Sequence, residues 1–139
     1  MPARRRTAVL TLAAVVSWCA APPARADDAL DDHRVTARSW AGAAGRVAAG
    51  TLDRSLPDVY VARALDAAAD GLDDVARWID AHANRDRAAY ATSAHDVAAT
   101  RATVRRLART TAAHDAPATR DAIALLKRQA ADLAGGTAR

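Results

Sequence analysis

The chain has 139 residues, with 20 basic and 16 acidic side chains and a formal net charge of +4. This length is typical of one small domain. Every acidic residue is Asp and all but one of the basic residues are Arg, while the single cysteine, Cys19, excludes a disulfide-built scaffold and a cysteine-ligated zinc site.

The first 26 residues have the pattern of a secretory signal peptide. Three arginines, Arg4 to Arg6, precede an uncharged run from Thr7 to Ala21, and the small residues Ala24 and Ala26 then form an A-x-A cleavage signal. The uncharged run is shorter than the roughly 20 residues that a transmembrane helix needs. We therefore predict a signal peptide over residues 1–26, cleavage before Asp27, and a periplasmic or secreted domain over residues 27–139 without a transmembrane span.

Two details leave the route of export and the anchoring of the chain open. The arginine cluster followed by Thr7 also fits a twin-arginine signal instead of the general secretory route. The stretch from Val16 to Cys19 resembles a lipoprotein box, in which Cys19 carries the lipid, although Trp18 occupies a position where that pattern has a small residue. The alternative location is therefore that of a lipoprotein anchored through Cys19.

Cleavage changes the charge of the protein. The signal peptide holds four of the 20 basic residues and no acid, which leaves 16 of each sign in the mature chain. Nucleic-acid binding requires a basic surface, and a net charge of zero supplies none overall. We therefore expect no nucleic-acid partner.

The first predicted helix runs from Asp28 to Ala49 and is closed by Gly50. Apolar residues at helical spacing define the side that faces the core. This stripe consists of Leu30, His33, Ala37, Trp40, Ala44 and Val47.

A second helix is predicted to begin near Ser55, which is a favourable N-cap, with Pro57 and Asp58 in its first turn. The pair Asp70-Gly71 is typical of a turn. The apolar stripe nevertheless keeps its phase across this pair, which predicts one continuous helix. The stripe consists of Val61, Leu65, Ala68, Leu72, Val75, Ile79 and His82.

A break between Ala83 and Asp86 separates the second helix from a third, because the apolar repeat changes phase there. The third stripe consists of Tyr90, Ala94, Val97, Val104 and Ala108, with Leu107 beside it. The segment from His114 to Pro117 opens a fourth helix that ends at Gly135-Gly136, and its stripe consists of Ala122, Ile123, Leu126, Ala130 and Leu133. Four helices with short connections predict an all-α, up-down-up-down four-helix bundle.

Charge is divided between the two halves of the predicted domain. Residues 27–80 carry 11 Asp and six Arg, whereas residues 81–139 carry five Asp and ten basic residues. The acidic half contains Asp66, Asp70, Asp73 and Asp74, and the basic half contains Arg101, Arg105, Arg106 and Arg109. This division indicates either two hairpins that attract each other and present solvated faces, or a surface for a protein, a lipid headgroup or a second copy.

Motifs for catalysis are absent from the sequence. The predicted mature chain has no cysteine nucleophile, no G-x-S-x-G elbow, no Glu pair, no phosphate-binding glycine loop and no H-E-x-x-H motif. Exported four-helix bundles include haem proteins, but C-x-x-C-H attachment and a methionine ligand are also absent beyond the signal peptide. We therefore predict a protein without enzymatic activity and without a bound cofactor.

The remaining chemical candidates are histidines. His33 lies near the start of the first stripe and His82 ends the second, so an up-down bundle places both at one end of the molecule. Trp78 is one turn before His82. Two imidazoles beside an indole are a candidate site for haem or a divalent metal. His95 is expected to face solvent, and His114 is expected in a loop at the opposite end.

The sequence thus favours a non-enzymatic helical interaction module of the bacterial envelope, with an envelope protein or a second copy of itself as its partner. The alternative is a haem- or metal-binding periplasmic bundle that uses His33 and His82.

Overall fold

The computed structural model describes residues 26–84 and 86–135, and every regular element within them is an α-helix. Helix α1 spans Ala26–Leu52, α2 Asp58–His82, α3 Arg87–Ala112 and α4 Ala116–Gly135. The prediction of an all-α fold with four helices is confirmed. The predicted signal peptide, with Cys19 and Ala24, lies outside the described residues except for Ala26, which opens α1.

The four helices pack against one another around one core. Helices α2 and α4 each pack against α1 and α3, and α1 also contacts α3. The side of α1 that faces the core consists mostly of small side chains, which allow close approach between helices. These alanines, none more than 1% exposed, are Ala37, Ala41, Ala44 and Ala48. No helix in the described part of the chain is both long and apolar enough to cross a membrane.

Helix α2 matches its predicted stripe most closely. Six of the seven predicted positions are buried and His82 is partly buried. Asp70 and Gly71 lie inside the helix, which confirms the prediction of one continuous element. The apolar residues recur without interruption, so the period alone was sufficient to identify the buried side.

Helix α3 buries more hydroxyl groups than the sequence predicted. Each of these groups donates a hydrogen bond to a backbone carbonyl four residues earlier, so its donor is satisfied within the helix. Burying these hydroxyl groups in the core therefore costs little free energy. They belong to Ser93, Thr100, Thr103 and Thr111.

The predicted end of the first helix is wrong. Gly50 lies inside α1, which continues to Leu52, and the left-handed conformation that follows the helix is adopted by Arg54, with φ of 54°. Gly50 instead provides space, because a Cβ atom there would lie 2.6 Å from the Cδ1 atom of Leu56. Close approach of the loop, and not a left-handed turn, accounts for this glycine.

The predicted N-cap of the second helix is also wrong. Pro57 occupies the N-cap position and makes no side-chain capping bond. The hydroxyl of Ser55 donates to the Gly50 carbonyl oxygen at 3.1 Å, so it satisfies the end of α1 and not the start of α2. An extended residue at Pro57 separates Ser55 from the first turn of α2.

The other two boundaries agree with the predictions. The Asp86 carboxylate accepts hydrogen bonds from the backbone N–H groups of Ala88 and Ala89, both at 3.2 Å, and caps α3. The Asp115 carboxylate accepts one from Ala118 at 3.0 Å at the start of α4. Both are typical N-cap interactions.

Candidate functional site

Trp78 stacks on both histidines of the predicted site. Its indole lies 3.7 Å from the His33 ring, centroid to centroid, with an angle of 11° between the ring planes. The same indole lies 4.3 Å from the His82 ring, at 21°. Two nearly parallel rings this close on one face would overlap, so the imidazoles occupy opposite faces of the indole. The predicted proximity of these three residues is confirmed.

Hydrogen bonds fix the orientation of each imidazole. The Nδ1 atom of His33 lies 2.8 Å from the carbonyl oxygen of Ala29, and that of His82 lies 2.7 Å from the carbonyl oxygen of Trp78. A carbonyl oxygen only accepts, so Nδ1 carries the proton in both rings. The Nε2 atom of each neutral ring is then the nitrogen with a lone pair available to a ligand.

The indole keeps the two imidazoles apart. Their distances from the indole, 3.7 and 4.3 Å, add to about 8 Å. Nitrogen ligands lie only about 2.0–2.1 Å from a zinc ion, so His33 and His82 do not share one ion while both remain in the stack. Binding of one ion by both rings requires one of them to leave the indole.

The cavity beside the stack is small. It has a volume of about 220 Å³ and its lining includes His33, Trp40 and Asp74. Small-molecule sites have volumes of about 300–1,000 Å³, so this cavity is smaller than a typical ligand site. Among the described residues, no group of three or more His, Cys, Asp or Glu side chains is arranged to hold a metal ion. The haem- or metal-binding alternative stays a prediction.

A buried arginine and a buried tyrosine lie close to this stack. Arg34 is 7% exposed, and its Nε donates to the Ser93 hydroxyl at 2.8 Å. Its Nη1 lies 3.4 Å from the carboxylate of Asp31. Tyr90 stacks at 6.1 Å from Trp78, and its buried hydroxyl has no hydrogen-bond partner within the described ranges. This end of the bundle therefore combines aromatic packing with polar groups.

Arg34 and Ser93 were not predicted as buried residues, because both residue types are mostly exposed in proteins. A signal was present for the arginine. Arg34 lies four residues after Leu30 and three before Ala37, which places it on the same side of α1 as the apolar stripe. Ser93 lies three residues after Tyr90, on the predicted buried side of α3.

The two other histidines lie apart from the stack. His95 is exposed on α3, as predicted. His114 lies in the loop between α3 and α4 and has φ of 53°. Its Nε2 atom is 3.9 Å from the carboxylate of Asp58 at the start of α2, and both side chains are largely exposed. Neither histidine contributes to a joint site with His33 and His82.

Charge is strongly divided between two neighbouring helices. Helix α2 carries six Asp and two Arg, a net charge of −4, and α3 carries one Asp and five Arg, a net charge of +4. The carboxylate of Asp73 links them, accepting hydrogen bonds from Arg101 at 2.5 Å and from Arg105 at 3.0 Å. The bond from Arg101, with the positive charges of both arginines, lowers the pKa of Asp73 below its usual value, although burial opposes this shift.

The outer sides of α2 and α3 form one surface, named here the α2/α3 face. Asp66 and Arg109 line one cavity between the two helices, of about 500 Å³, and Asp73 and Arg101 line another. Within each helix the members recur at intervals of three or four residues, apart from Ala102, which lies beside Arg101, so they share a side. The face comprises Ala62, Asp66, Asp70 and Asp73 of α2, and Ala98, Arg101, Ala102, Arg105 and Arg109 of α3.

No family model, no curated protein and no solved structure matches the chain.

Proposed function

We propose that the chain is a non-enzymatic helical interaction module that is exported to the bacterial envelope and acts through protein contacts. Export is supported by the order of basic, uncharged and A-x-A segments in the first 26 residues. Periplasmic release after cleavage at Ala26 is the first form of this proposal, and anchoring through Cys19 is the alternative.

The proposed topology is the up-down-up-down bundle. Residues that lie progressively later in α1 pair with residues progressively earlier in α2, since His33 stacks on Trp78 and Trp40 packs against Gly71. Short connections between successive helices favour the same arrangement. In this topology the long outer sides of the helices, and not a central cavity, are the surfaces offered to a partner.

The observation that carries the proposal is the charge on the α2/α3 face. Asp66 and Asp70 are exposed and have no ion-pair partner within 4 Å among the described residues, and the same holds for Arg109. Exposed groups of both signs, arranged on two adjacent helices, suit recognition of a complementary protein surface. His33 and His82, by contrast, are engaged in packing around Trp78.

Site-specific cross-linking in the exporting bacterium tests this function. The predicted mature chain has no cysteine, so Ala98→Cys places a single thiol on the α2/α3 face, and Ala131→Cys places one at an exposed position of α4 as the control. After labelling with a photoactivatable thiol reagent, we expect a discrete protein adduct from position 98 and none from position 131. Equal labelling from both positions, or no protein adduct from position 98, would contradict the proposal.

A further inference from the structure

We propose that the α2/α3 face binds the same face of a second copy of this chain, forming a two-fold symmetric dimer. This inference rests on the proposed function and names the partner. The two helices carry opposite net charges, −4 on α2 and +4 on α3. A surface that is acidic on one side and basic on the other is complementary to a suitably rotated copy of itself.

Symmetry selects one arrangement of the two copies. A two-fold axis parallel to the helices places α2 of each copy against α3 of the other, and every favourable pairing then occurs twice. An axis in the plane of the interface but perpendicular to the helices places α2 against α2, with six Asp on each. Carboxylates at such a short distance repel one another, so the two-fold axis parallel to the helices is the one that fits this face.

Rotation about an axis parallel to the helices leaves the position of every residue along the bundle, its level, unchanged. The levels of the charged residues agree with this arrangement. Asp66 and Arg109 line the same cavity, so they lie at one level. Asp73 contacts Arg101 and Arg105 within the chain, which places the latter pair at the level of Asp73. Asp66 and Asp70, one to two turns earlier in α2, therefore face the partner copy's arginines at the level of positions 105–109 in α3.

The side chains between these charges are small. Ala62 on α2 and Ala98 and Ala102 on α3 are exposed, and none extends beyond Cβ. Exposed alanines allow a second pair of helices to approach closely while the longer Arg and Asp side chains reach across. Arginine also forms paired hydrogen bonds with carboxylates, which suits it to interfaces between proteins.

Net charge favours a second copy as the partner. The predicted mature chain has 16 groups of each sign, so two copies do not repel each other at long range. A partner with a strong net charge of one sign, by comparison, would be attracted by one helix of the face and repelled by the adjacent helix. A partner with the same alternation of acidic and basic helices matches both, and the chain itself has that pattern.

Sedimentation equilibrium of the protein recovered after export tests the dimer. We expect the wild-type chain to dimerise at low ionic strength and to dissociate as salt is raised to about 1 M, where the Debye length falls to about 3 Å. Two charge reversals are then compared: Asp66→Arg with Asp70→Arg, and Arg105→Asp with Arg109→Asp. Each variant alone brings like charges together and should be monomeric.

An equimolar mixture of the two reversed variants is the decisive sample. In the mixed dimer, one contact is wild-type and the other is reversed on both sides, so both are attractive and dimerisation should return. Arg120→Asp with Arg128→Asp on α4 is the matched control and should dimerise like the wild type. Circular dichroism identifies any reversed variant that fails to fold, in which case the neutral pair Asp66→Asn with Asp70→Asn replaces it and should weaken the dimer.

A monomeric wild type, a dimer insensitive to salt, or a mixture that remains monomeric would overturn the proposal. A monomeric wild type that still gives a discrete adduct with another protein from position 98 would overturn only the dimer and leave the interaction function standing.

Discussion

Gly71 lies in the middle of α2, where a glycine costs about 1 kcal/mol relative to alanine by helix propensity alone. The structure supplies a reason for it. A Cβ atom at position 71 would overlap the indole of Trp40, which packs against the backbone of α2 at this point. The pair Asp70-Gly71, which has the composition of a turn, is therefore a contact between helices and not a break in one.

Replacing this glycine gives a test with a matched control. Gly71→Ala should destabilise the protein by about 1–3 kcal/mol, because overpacking against Trp40 outweighs the gain in helix propensity. Gly45→Ala in α1 should be neutral or stabilising by up to about 1 kcal/mol, since its nearest contact would be Leu126 Cδ2 at 3.9 Å. Urea unfolding of both variants measures the difference, and equal effects would contradict the close contact with Trp40.

The stack around Trp78 shows which structural features residue spacing can predict and which it cannot. Stripe positions placed His33 and His82 together correctly, with Trp78 one turn before His82, because helical spacing and chain direction fix which residues meet. They did not predict that the indole separates the imidazoles. That detail depends on side-chain rotamers and on the hydrogen bonds from the two Nδ1 atoms, and neither has a signature in residue spacing.

At the scale of whole helices, α2 and α1 illustrate the difference between a continuous and an interrupted pattern. The apolar residues of α2 define its buried side without help from other helices. In α1 the buried side is mostly alanine with one arginine, Arg34, and the predicted stripe included the partly buried edge positions Trp40 and Val47. Small side chains bury well on any side of a helix, so their spacing locates a core less sharply.

One pair of substitutions tests the assigned sides of these helices. Leu72 is fully buried in α2, so Leu72→Asp should unfold the protein, because an unpaired charge in the core is strongly unfavourable. Val35 is 58% exposed on α1, and Val35→Asp should change the free energy of unfolding by about 0.5 kcal/mol or less. Far-UV circular dichroism and urea unfolding distinguish the two, and similar losses of stability would contradict the assignment.

The contact between α2 and α3 predicts a dependence on pH. The pKa of Asp73 lies below its usual value of 3.8 in the folded protein. The unfolded state therefore takes up this proton first as the solution is acidified, and the stabilisation present above about pH 4 is lost as pH falls through the lower, folded pKa. Asp73→Asn should lower stability by less than about 1 kcal/mol at neutral pH, because all three partners are partly exposed.

Urea unfolding of the wild type and of Asp73→Asn measures that loss. The difference between the two proteins should be largest at neutral pH and should shrink between pH 4 and pH 2. Asp121→Asn is the matched control, because Asp121 is exposed on α4, outside the α2/α3 face, and has no ion-pair partner within 4 Å among the described residues. A difference between wild type and Asp73→Asn that grows on acidification would have the wrong sign for this ion pair.

For the whole molecule, the number of helices, their class and two of the predicted boundaries followed from the sequence. The loop between α1 and α2 did not, because Gly50 and Ser55 serve a contact with the loop itself and not the helix ends that their residue types suggest. The division of charge was visible in the sequence as two halves. Its placement on adjacent outer sides of α2 and α3 required the packing of the helices.

The proposed function depends above all on export. Removal of the first 26 residues, four of which are basic, would leave a neutral chain without a thiol. The intact mass of the protein recovered from the periplasm measures this directly. We predict the mass of an unmodified chain that begins at Asp27. A full-length chain retained in the cytoplasm would contradict the account, and a lipid-modified chain that begins at Cys19 would replace the released form with the anchored one.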